Sequence, residues 1–439
     1  MNSRTTLLSA ICLSASLAST GALAATEVQW WHAMGGELGQ KVDEIAAKFN
    51  ASQSDYTVNP VYKGNYTETM TAAIAAFRAK QQPHIVQVFE VGTATMMAAK
   101  GAIYPVYKLM ADTKEPFDPE AYLASVTGYY TDTDGNMLSM PFNSSTPVLY
   151  YNKTAFKKAG LDPEKAPKTW QEVEAVATAV QASGTKCGFT TGWQSWVQIE
   201  NFSAWHNIPI GTKENGFAGL DTELTINNPT VVKHIAQLGE WQKSKIFDYG
   251  GRRSDSAPKF YTQECAMYMN SSAAYAGIKA NAKDFEFGVG QLPYWEGVAG
   301  APQNSIIGGA TLWVLAGRDA EEYKGVAKFF SFLSSAEIQA DWHQFTGYLP
   351  VTHAAYDLTK SQGFYDKNPG TDTSIKQMTN KEPTANSKGL RFGNFVQIRD
   401  IINEELEAVW AGSKSAQDAL DTAVSRGNDL LRKFEKANK

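Results

Sequence analysis

Residues 26–50 read TEVQWWHAMGGELGQKVDEIAAKFN and join two different hydrophobic patterns in one short stretch. The opening segment, TEVQWWH, carries the Thr, Val and Trp side chains that favour a buried strand. Apolar side chains then recur at the spacing of one helical face: Leu38, Val42, Ile45 and Phe49. That spacing predicts an amphipathic helix. A strand followed directly by a helix is the first unit of an α/β fold.

The same alternation continues along the next forty residues. YTVNPVYK (residues 56–63) predicts a second strand and HIVQVFEV (residues 84–91) a third. Between them, Met70, Ile74 and Phe77 have helical spacing. Alternating units of this kind predict a parallel-rich sheet that is covered by helices.

A second set of elements follows SMPFNSSTPVLYYNK (residues 139–153). Thr169 and Glu172 form a capping box, and Asn228-Pro229 opens a further helix. Helices are predicted from about residue 394 to 410 and from 415 to the C-terminus. No short repeat or low-complexity linker separates the two halves, so we expect two lobes packed together.

The N-terminus has the pattern of an export signal. Arg4 precedes an apolar, Ser/Ala-rich run that ends in Ala22-Leu23-Ala24, so residues 1–24 are predicted to be a cleaved signal peptide. A membrane anchor is the weaker alternative, because the run is short and rich in small residues. No later segment has the roughly 20 uninterrupted apolar residues of a membrane span.

Composition limits the classes of partner and the number of domains. The formal net charge of −5 argues against nucleic acid as a partner. The length of 439 residues exceeds one typical hydrophobic core and suggests two or three domains. Two cysteines follow the signal, Cys187 and Cys265, and the sequence leaves open whether they pair.

Signatures of catalysis are missing from the sequence. It has no G-x-S-x-G elbow, H-E-x-x-H, C-x-x-C or P-loop motif. The histidines lack metal-ligand spacing and are expected to be structural: His32, His84, His206, His234, His343 and His353. We therefore expect no metal and no cofactor. A glycosidase needs only two carboxylates, so that class stays open.

Three segments together resemble the extracellular solute-binding proteins of bacterial ABC importers, the family that includes the maltose-binding protein. They are WWHAMGGELGQKVDEIAAKFN (residues 30–50), PFNSSTPVLYYNKTAFKKAGL (residues 141–161) and KFYTQECAMYMNSSAAY (residues 259–275). Longer stretches, among them PQNSIIGGATLWV (residues 302–314) and GLRFGNFVQIRDIINEELEAVW (residues 389–410), are similar to the members that bind sn-glycerol 3-phosphate.

The resemblance implies an α/β, two-lobed periplasmic-binding-protein fold, with hinge strands and a ligand cleft between the lobes. Lobe 1 is predicted to comprise residues 25–143 and 311–355, and lobe 2 residues 144–310 and 356–439. PFNSS and IIGGATLWV would be the first two crossings, and a third would follow Leu349. Closure of the lobes on the ligand would be the functional motion.

The family's ligand contacts fall on matching residue types: Tyr66, Glu90, Ser145, Ser271, Gly309, Tyr348 and Arg399. The resemblance also implies that Trp193 and Trp196 line the glycerol end of the site. Both lie in GWQSWVQIENFSAW (residues 192–205). At positions i and i+3 they would share one helical face, whereas Trp205 is expected to be core.

The implied function is that of a monomeric periplasmic receptor without enzymatic activity. It would bind sn-glycerol 3-phosphate, and also glycerophosphodiesters such as glycerophosphocholine, and deliver them to the permease subunits of an ABC importer. An oligosaccharide receptor is the alternative within the family, because tryptophans also stack on sugars. An exported glycosidase or phosphodiesterase is the alternative outside it.

Overall fold

The computed structural model describes residues 25–439. The predicted signal peptide, residues 1–24, lies outside the described residues. Residues 25–439 contain ten strands: β1 Thr26–His32, β2 Tyr56–Tyr62, β3 Ile85–Phe89, β4 Ile103–Tyr104, β5 Met140–Ser145, β6 Pro147–Asn152, β7 Cys187–Thr191, β8 Cys265–Ser271, β9 Phe287–Gly290 and β10 Gly308–Leu315.

Helices surround these strands. In chain order they are α1 Gly36–Ser52, α2 Tyr66–Arg78, α3 Thr93–Ala98, α4 Val106–Thr113, α5 Ala124–Tyr130, α6 Lys153–Lys158, α7 Trp170–Ala182, α8 Phe202–Trp205, α9 Thr212–Asn215, α10 Pro229–Ser244, α11 Ala257–Tyr261, α12 Ala274–Asn281, α13 Ala320–Leu333, α14 Ala336–Thr346, α15 His353–Ser361, α16 Phe364–Lys367, α17 Thr373–Met378, α18 Phe395–Trp410 and α19 Ala416–Asn438. A π-helical segment, Trp196–Asn201, runs directly into α8.

The strands form two sheets, one for each lobe. The first has the order β2-β1-β3-β10-β4, with β5 beside β10, and the second has the order β7-β8-β6-β9. Parallel pairing holds for β1 with β2 and β3, as the strand and helix alternation predicts. The strands that cross between lobes pair antiparallel: β10 with β3 and β5, and β6 with β8. β10 enters its sheet from the second lobe and β6 enters its sheet from the first, so each runs against the strands beside it.

The lobes are joined where β5 continues into β6, with Thr146 between them, and where the chain returns into β10. These are the two predicted crossings. The predicted lobe boundaries after residues 143, 310 and 355 fall inside β5, β10 and α15, and the division at those residues remains a prediction.

Local capping signals in the sequence are found in the structure. The side chain of Thr169 accepts from the backbone N–H of Glu172, and Glu172 bonds back to the start of α7. The Asn228 side chain accepts from Val231 N, with Pro229 in the first turn of α10. Both caps satisfy N–H groups that would otherwise lack a partner.

Cys187 and Cys265 form a disulfide. They are direct partners in the parallel pair β7 and β8, which brings their Cα atoms to 4.5 Å. Among residues 25–439, the one group of three potential metal ligands consists of these cysteines and Asp248. Both sulfurs are already joined to each other, so this group does not alter the expectation of a metal-free protein.

Between residues 25 and 439, we find no helix whose length and apolar character would let it cross a bilayer.

Candidate functional site

A cavity of about 410 Å³ lies between the two lobes. Every residue that the sequence predicts as a ligand contact lines it: Tyr66, Glu90, Ser145, Trp193, Trp196, Ser271, Gly309, Tyr348 and Arg399. These residues are up to 333 positions apart in the chain, and both sheets contribute. Their contact with a ligand stays a prediction.

The crossing strands form one wall of this cavity. Gly308 pairs with Ser145, and Gly309 pairs with Ser144, where β10 begins and β5 ends. Gly309 has a φ of +89°, and a Cβ there would overlap the carbonyl oxygen of Asn143. Only glycine allows both the left-handed backbone and this close approach.

Three helices begin at the cavity. Met34 and Gly35 precede α1, Asn65 caps α2, and Ser271 lies just before α12, and each of these residues lines the cavity. The Asn65 cap is reinforced by a capping box with Glu68. Helix N-termini carry partial positive charge and unpaired N–H groups. Their convergence favours an anionic ligand.

The hydroxyl of Tyr66 is held by a chain of buried side chains. Asn143 Nδ2 donates to Tyr66 Oη at 2.9 Å, and Gln87 Nε2 donates to Asn143 Oδ1 at 2.7 Å. Gln87 is fixed in turn by a bond from Ala33 N. The Tyr66 ring is stacked on Phe89 at 5.2 Å. Burial raises the pKa of Tyr66 well above its ordinary value, so the phenol stays protonated and has a proton to donate.

Arg399 lies at the centre of an ion cluster. Its Nε donates to Glu200 Oε1 at 2.9 Å and its Nη2 donates to Glu200 Oε2 at 2.6 Å, which is a bidentate pair. Nη2 also donates to Glu90 Oε1 at 2.6 Å. The side chains of Arg399, Glu90 and Glu200 are all buried. This burial excludes a surface ion pair for Arg399.

The charged groups in this cluster shift one another's pKa values. Burial raises the pKa of Glu90; attraction to Arg399 opposes that shift, and repulsion from Glu200 adds to it. Burial alone would lower the pKa of Arg399, but attraction to Glu200 and Glu90 raises it above its ordinary value. Arg399 is therefore a permanent cation between two acids, and Glu90 is more readily protonated than a solvent-exposed glutamate.

Sequence reasoning missed Glu200. It is the only charged residue in GWQSWVQIENFSAW, residues 192–205, and a lone acid in an apolar, aromatic stretch is a signal that could have found it. It also missed Arg253, which lines the mouth of the cavity and is exposed.

The two tryptophans reach the cavity differently from the prediction. Trp193 has a φ of +46° and precedes the helix, so it does not share a helical face with Trp196. Trp196 begins the π-helical segment and lies against Gly308. Its Nε1 is buried and has no hydrogen-bond partner among residues 25–439. Trp205 is core, as predicted, and its Nε1 donates to Leu292 O at 2.9 Å.

Two further cavities lie near the hinge. One of about 390 Å³ shares Phe89, Trp193, Trp196, Arg253, Asp255 and Arg399 with the site and adds Asp400 and Asn403. A larger one of about 1000 Å³ is lined by other residues, including Ile306, Leu349, Met378 and Arg391. None of the predicted ligand contacts lines the larger cavity.

Two α/β lobes joined by crossing strands, with a polar and aromatic cavity between them, define a solute-binding protein. A family model described as bacterial extracellular solute-binding protein matches residues 44–373. The chain belongs to this family, and it is a binding protein rather than an enzyme.

Two relatives share more than half of their residues with this chain. The chain is 57% identical to the sn-glycerol-3-phosphate-binding periplasmic protein UgpB of Salmonella typhimurium, over 98% of both chains. It is 56% identical to the protein of the same name in Yersinia pseudotuberculosis, again over 98% of both.

Solved structures agree on the fold. UgpB from Mycobacterium tuberculosis in complex with glycerophosphocholine has a TM-score of 0.78 at 22% identity, covering 93% of this chain and 99% of that one. The cyclic α-maltosyl-1,6-maltose binding protein from Arthrobacter globiformis has a TM-score of 0.72 at 23% identity, covering 93% and 100%. At these identities the likeness concerns the fold alone.

Proposed function

We propose that this chain is the periplasmic receptor subunit of an ABC importer, that it binds sn-glycerol 3-phosphate between its lobes, and that it delivers the ligand to the permease. The relatives with more than half of their residues in common carry that ligand in their names. The periplasmic location rests on those relatives and on the predicted signal peptide.

One observation carries the ligand assignment: a buried arginine faces a cavity at which three helices begin. Arg399 donates to carboxylates only through Nε and Nη2. Within the part of the chain that the structure describes, Nη1 has no acceptor. Its N–H bonds are therefore available to a phosphate oxygen.

Hydroxyl donors complete a phosphate shell. Ser145 and Ser271 lie on the two sides of the cleft, and the phenols of Tyr66 and Tyr348 line the same cavity. A hydrogen bond to a charged group contributes roughly 1.5–3 kcal/mol. About four such bonds supply roughly 6–12 kcal/mol, a range that includes the roughly 8 kcal/mol of a micromolar complex before the cost of ordering is subtracted.

Glu90 suits the glycerol hydroxyls as an acceptor. Its carboxylate would be repelled by a phosphate at the same place, and in this structure it is bonded to Arg399 instead. Ligand binding therefore requires Glu90 to move away from Arg399, or the phosphate to occupy the Nη1 side.

Glycerophosphodiesters are a second candidate ligand class. The adjoining cavity of about 390 Å³ shares Trp193 with the site and is also lined by Asp255 and Asp400. The aromatic faces of Trp193 and Trp196 suit a cationic head group, whereas the two carboxylates are balanced by the arginines that also line this cavity. A diester with such a group would occupy both cavities.

Calorimetric titration of the mature protein tests these assignments. We expect micromolar or tighter binding of sn-glycerol 3-phosphate and glycerophosphocholine, with no heat from glycerol or maltose. Binding of maltose without binding of either phosphate ester would overturn the proposal in favour of an oligosaccharide receptor. Chelator-sensitive release of glycerol or choline from the diester would instead indicate a phosphodiesterase.

A further inference from the structure

Glu200 is buried and uses both of its carboxylate oxygens in hydrogen bonds, which a residue that only fills space would not do. Its side chain is fully buried, and both carboxylate oxygens accept from Arg399. Oε1 also accepts from Ser195 Oγ at 3.2 Å. Glu200 does not line the ligand cavity, whereas Arg399 does. It therefore contacts the guanidinium from behind.

The π-helical segment sets up this contact. Residues five apart are stacked in a π-helical turn, whereas an α-helix stacks residues three and four apart. Ser195 and Glu200 are five apart and hydrogen-bonded, and Asn201 Nδ2 donates to Trp196 O in the same register. The wide turn thus presents Trp196 to the cavity and Glu200 to the guanidinium behind it.

The arginine's donors are divided between its edges. Glu200 occupies the edge formed by Nε and one N–H of Nη2, and Glu90 takes the other N–H of Nη2. Nη1 is left for the ligand. The bidentate pair fixes the plane of the guanidinium. The N–H bonds of Nη1 therefore already point in a fixed direction before the ligand binds.

Glu200 and Glu90 differ in the contacts that hold their carboxylates in place. Glu200 is enclosed and bonded to Arg399 through both oxygens, whereas Glu90 uses one oxygen and lines the cavity. The Glu200 charge also cancels that of Arg399, and Glu90 adds a further negative charge. A bare anion therefore gains little in this cavity unless it also makes the contacts of a glycerol ester.

We propose that Glu200 is a positioning and specificity residue: it keeps its bidentate bond to Arg399 throughout binding, whereas the Glu90 bond exchanges for the ligand. This inference rests on the proposed function. It adds that the site should select sn-glycerol 3-phosphate over inorganic phosphate through a residue that touches neither.

Titration of Glu200→Gln and Glu200→Asp with sn-glycerol 3-phosphate and with inorganic phosphate tests the idea. For Glu200→Gln we expect an affinity loss for the ester of about tenfold or more, and a preference over inorganic phosphate reduced by a similar factor. Glu200→Asp keeps the charge and should recover part of both. A purely structural role would lower the melting temperature and leave the preference unchanged, and that result would overturn the inference.

Glu407→Gln is the matched control. Glu407 holds Arg252 through the same Nε and Nη2 geometry, at 2.7 and 2.6 Å, and lies outside the ligand cavity. We expect both affinities to stay within about twofold of wild type. If the wild-type protein does not bind the ester, the proposed function fails; if wild type binds and Glu200→Gln binds equally well, only the present inference fails.

A measurement on the unaltered side chains covers the case in which Glu200→Gln does not fold. The Nε–H resonance of Arg399, assigned by its loss in Arg399→Lys, should show slow solvent exchange and stay in place when sn-glycerol 3-phosphate is added. A resonance that moves to the position of a solvent-exposed arginine on binding would contradict a permanent Glu200 bond.

Discussion

Arg399 and Glu90 form an ion pair across the ligand cleft, with 2.6 Å between Nη2 and Oε1. Glu90 follows β3 of the first sheet, and Arg399 belongs to α18, which packs against α10 and α19 in the second lobe. The pair therefore links the lobes across the place where the ligand is proposed to bind. A bound phosphate ester would contact Arg399 beside this link, through Nη1, or replace the link at Nη2.

Replacing Arg399 by lysine should separate charge from geometry. Lysine keeps the positive charge but cannot hold Glu200 through two parallel bonds and still offer a donor to the ligand. We expect roughly a hundredfold loss of affinity for sn-glycerol 3-phosphate, measured by calorimetry. Arg391→Lys is the control, because Arg391 bonds to the carbonyls of Tyr129 and Thr131 outside the site. Equal affinities for both variants would contradict the assignment.

Gly309→Ala should cost more than an ordinary glycine substitution. Its Cβ would overlap the Asn143 carbonyl, and its φ is +89°. Gly101 has a φ of +78° with nothing within 4 Å of its Cβ, so Gly101→Ala should cost only about 1–2 kcal/mol for the left-handed backbone. For Gly309→Ala we expect about 3 kcal/mol or more in urea unfolding, and weaker ligand binding. Equal losses of stability for Gly309→Ala and Gly101→Ala would contradict this prediction, because the crossing strands would then accommodate the added methyl group with no further loss.

Replacing Trp193 and replacing Trp205 should have opposite effects on ligand affinity and on stability. Trp193 lines the cavity and is only partly buried, whereas Trp205 is fully buried. Trp193→Ala should weaken ligand binding with little change in stability. Trp205→Ala should lower the free energy of unfolding by about 3–5 kcal/mol. Titration and urea unfolding of both variants check this, and a large stability loss for Trp193→Ala with normal affinity would refute it.

Stability should fall as the solution is acidified. Burial lowers the pKa of His206 and of His343 to about 4, from about 6.5 in the unfolded chain. Their contribution is therefore complete above about pH 6.5 and is lost as pH falls towards 4. His206 shows why: Nδ1 contacts Phe202 O, and Nε2 accepts from Trp295 N, a bond that protonation would break.

Melting temperatures between pH 7.5 and 4.5 would measure this loss. His206→Gln should flatten the profile, because one titrating group is removed. A wild-type melting temperature that is constant over this interval would contradict the linkage.

The disulfide should stabilise the fold without affecting the site. It joins the first residues of β7 and β8, whereas Ser271 at the end of β8 lines the cavity. Ser271 lies six positions after Cys265 along the strand, a distance of about 20 Å. Replacing both cysteines by serine should lower the free energy of unfolding by about 2–4 kcal/mol with normal ligand affinity. A loss of binding by the folded variant would contradict this separation.

Much of the fold follows from signals that lie close together in the chain. The strand and helix patterns of residues 26–91, the Thr169-Glu172 capping box and the Asn228-Pro229 helix start predict elements that the structure contains. Each depends on side chains within one or two turns of one another. The resemblance to the family added the crossings and the set of residues that line the cavity.

The sequence by itself determined the α/β elements, and its resemblance to the family supplied the two crossings and the residue types of the proposed site. Only the tertiary structure decided that Arg399 is held by Glu200 and Glu90, that Cys187 meets Cys265, and that Trp193 lies outside the helix. The reason is the separation along the chain, because Arg399 and Glu200 are 199 positions apart. A buried charge takes its partner from the packing of two lobes, which no local periodicity encodes.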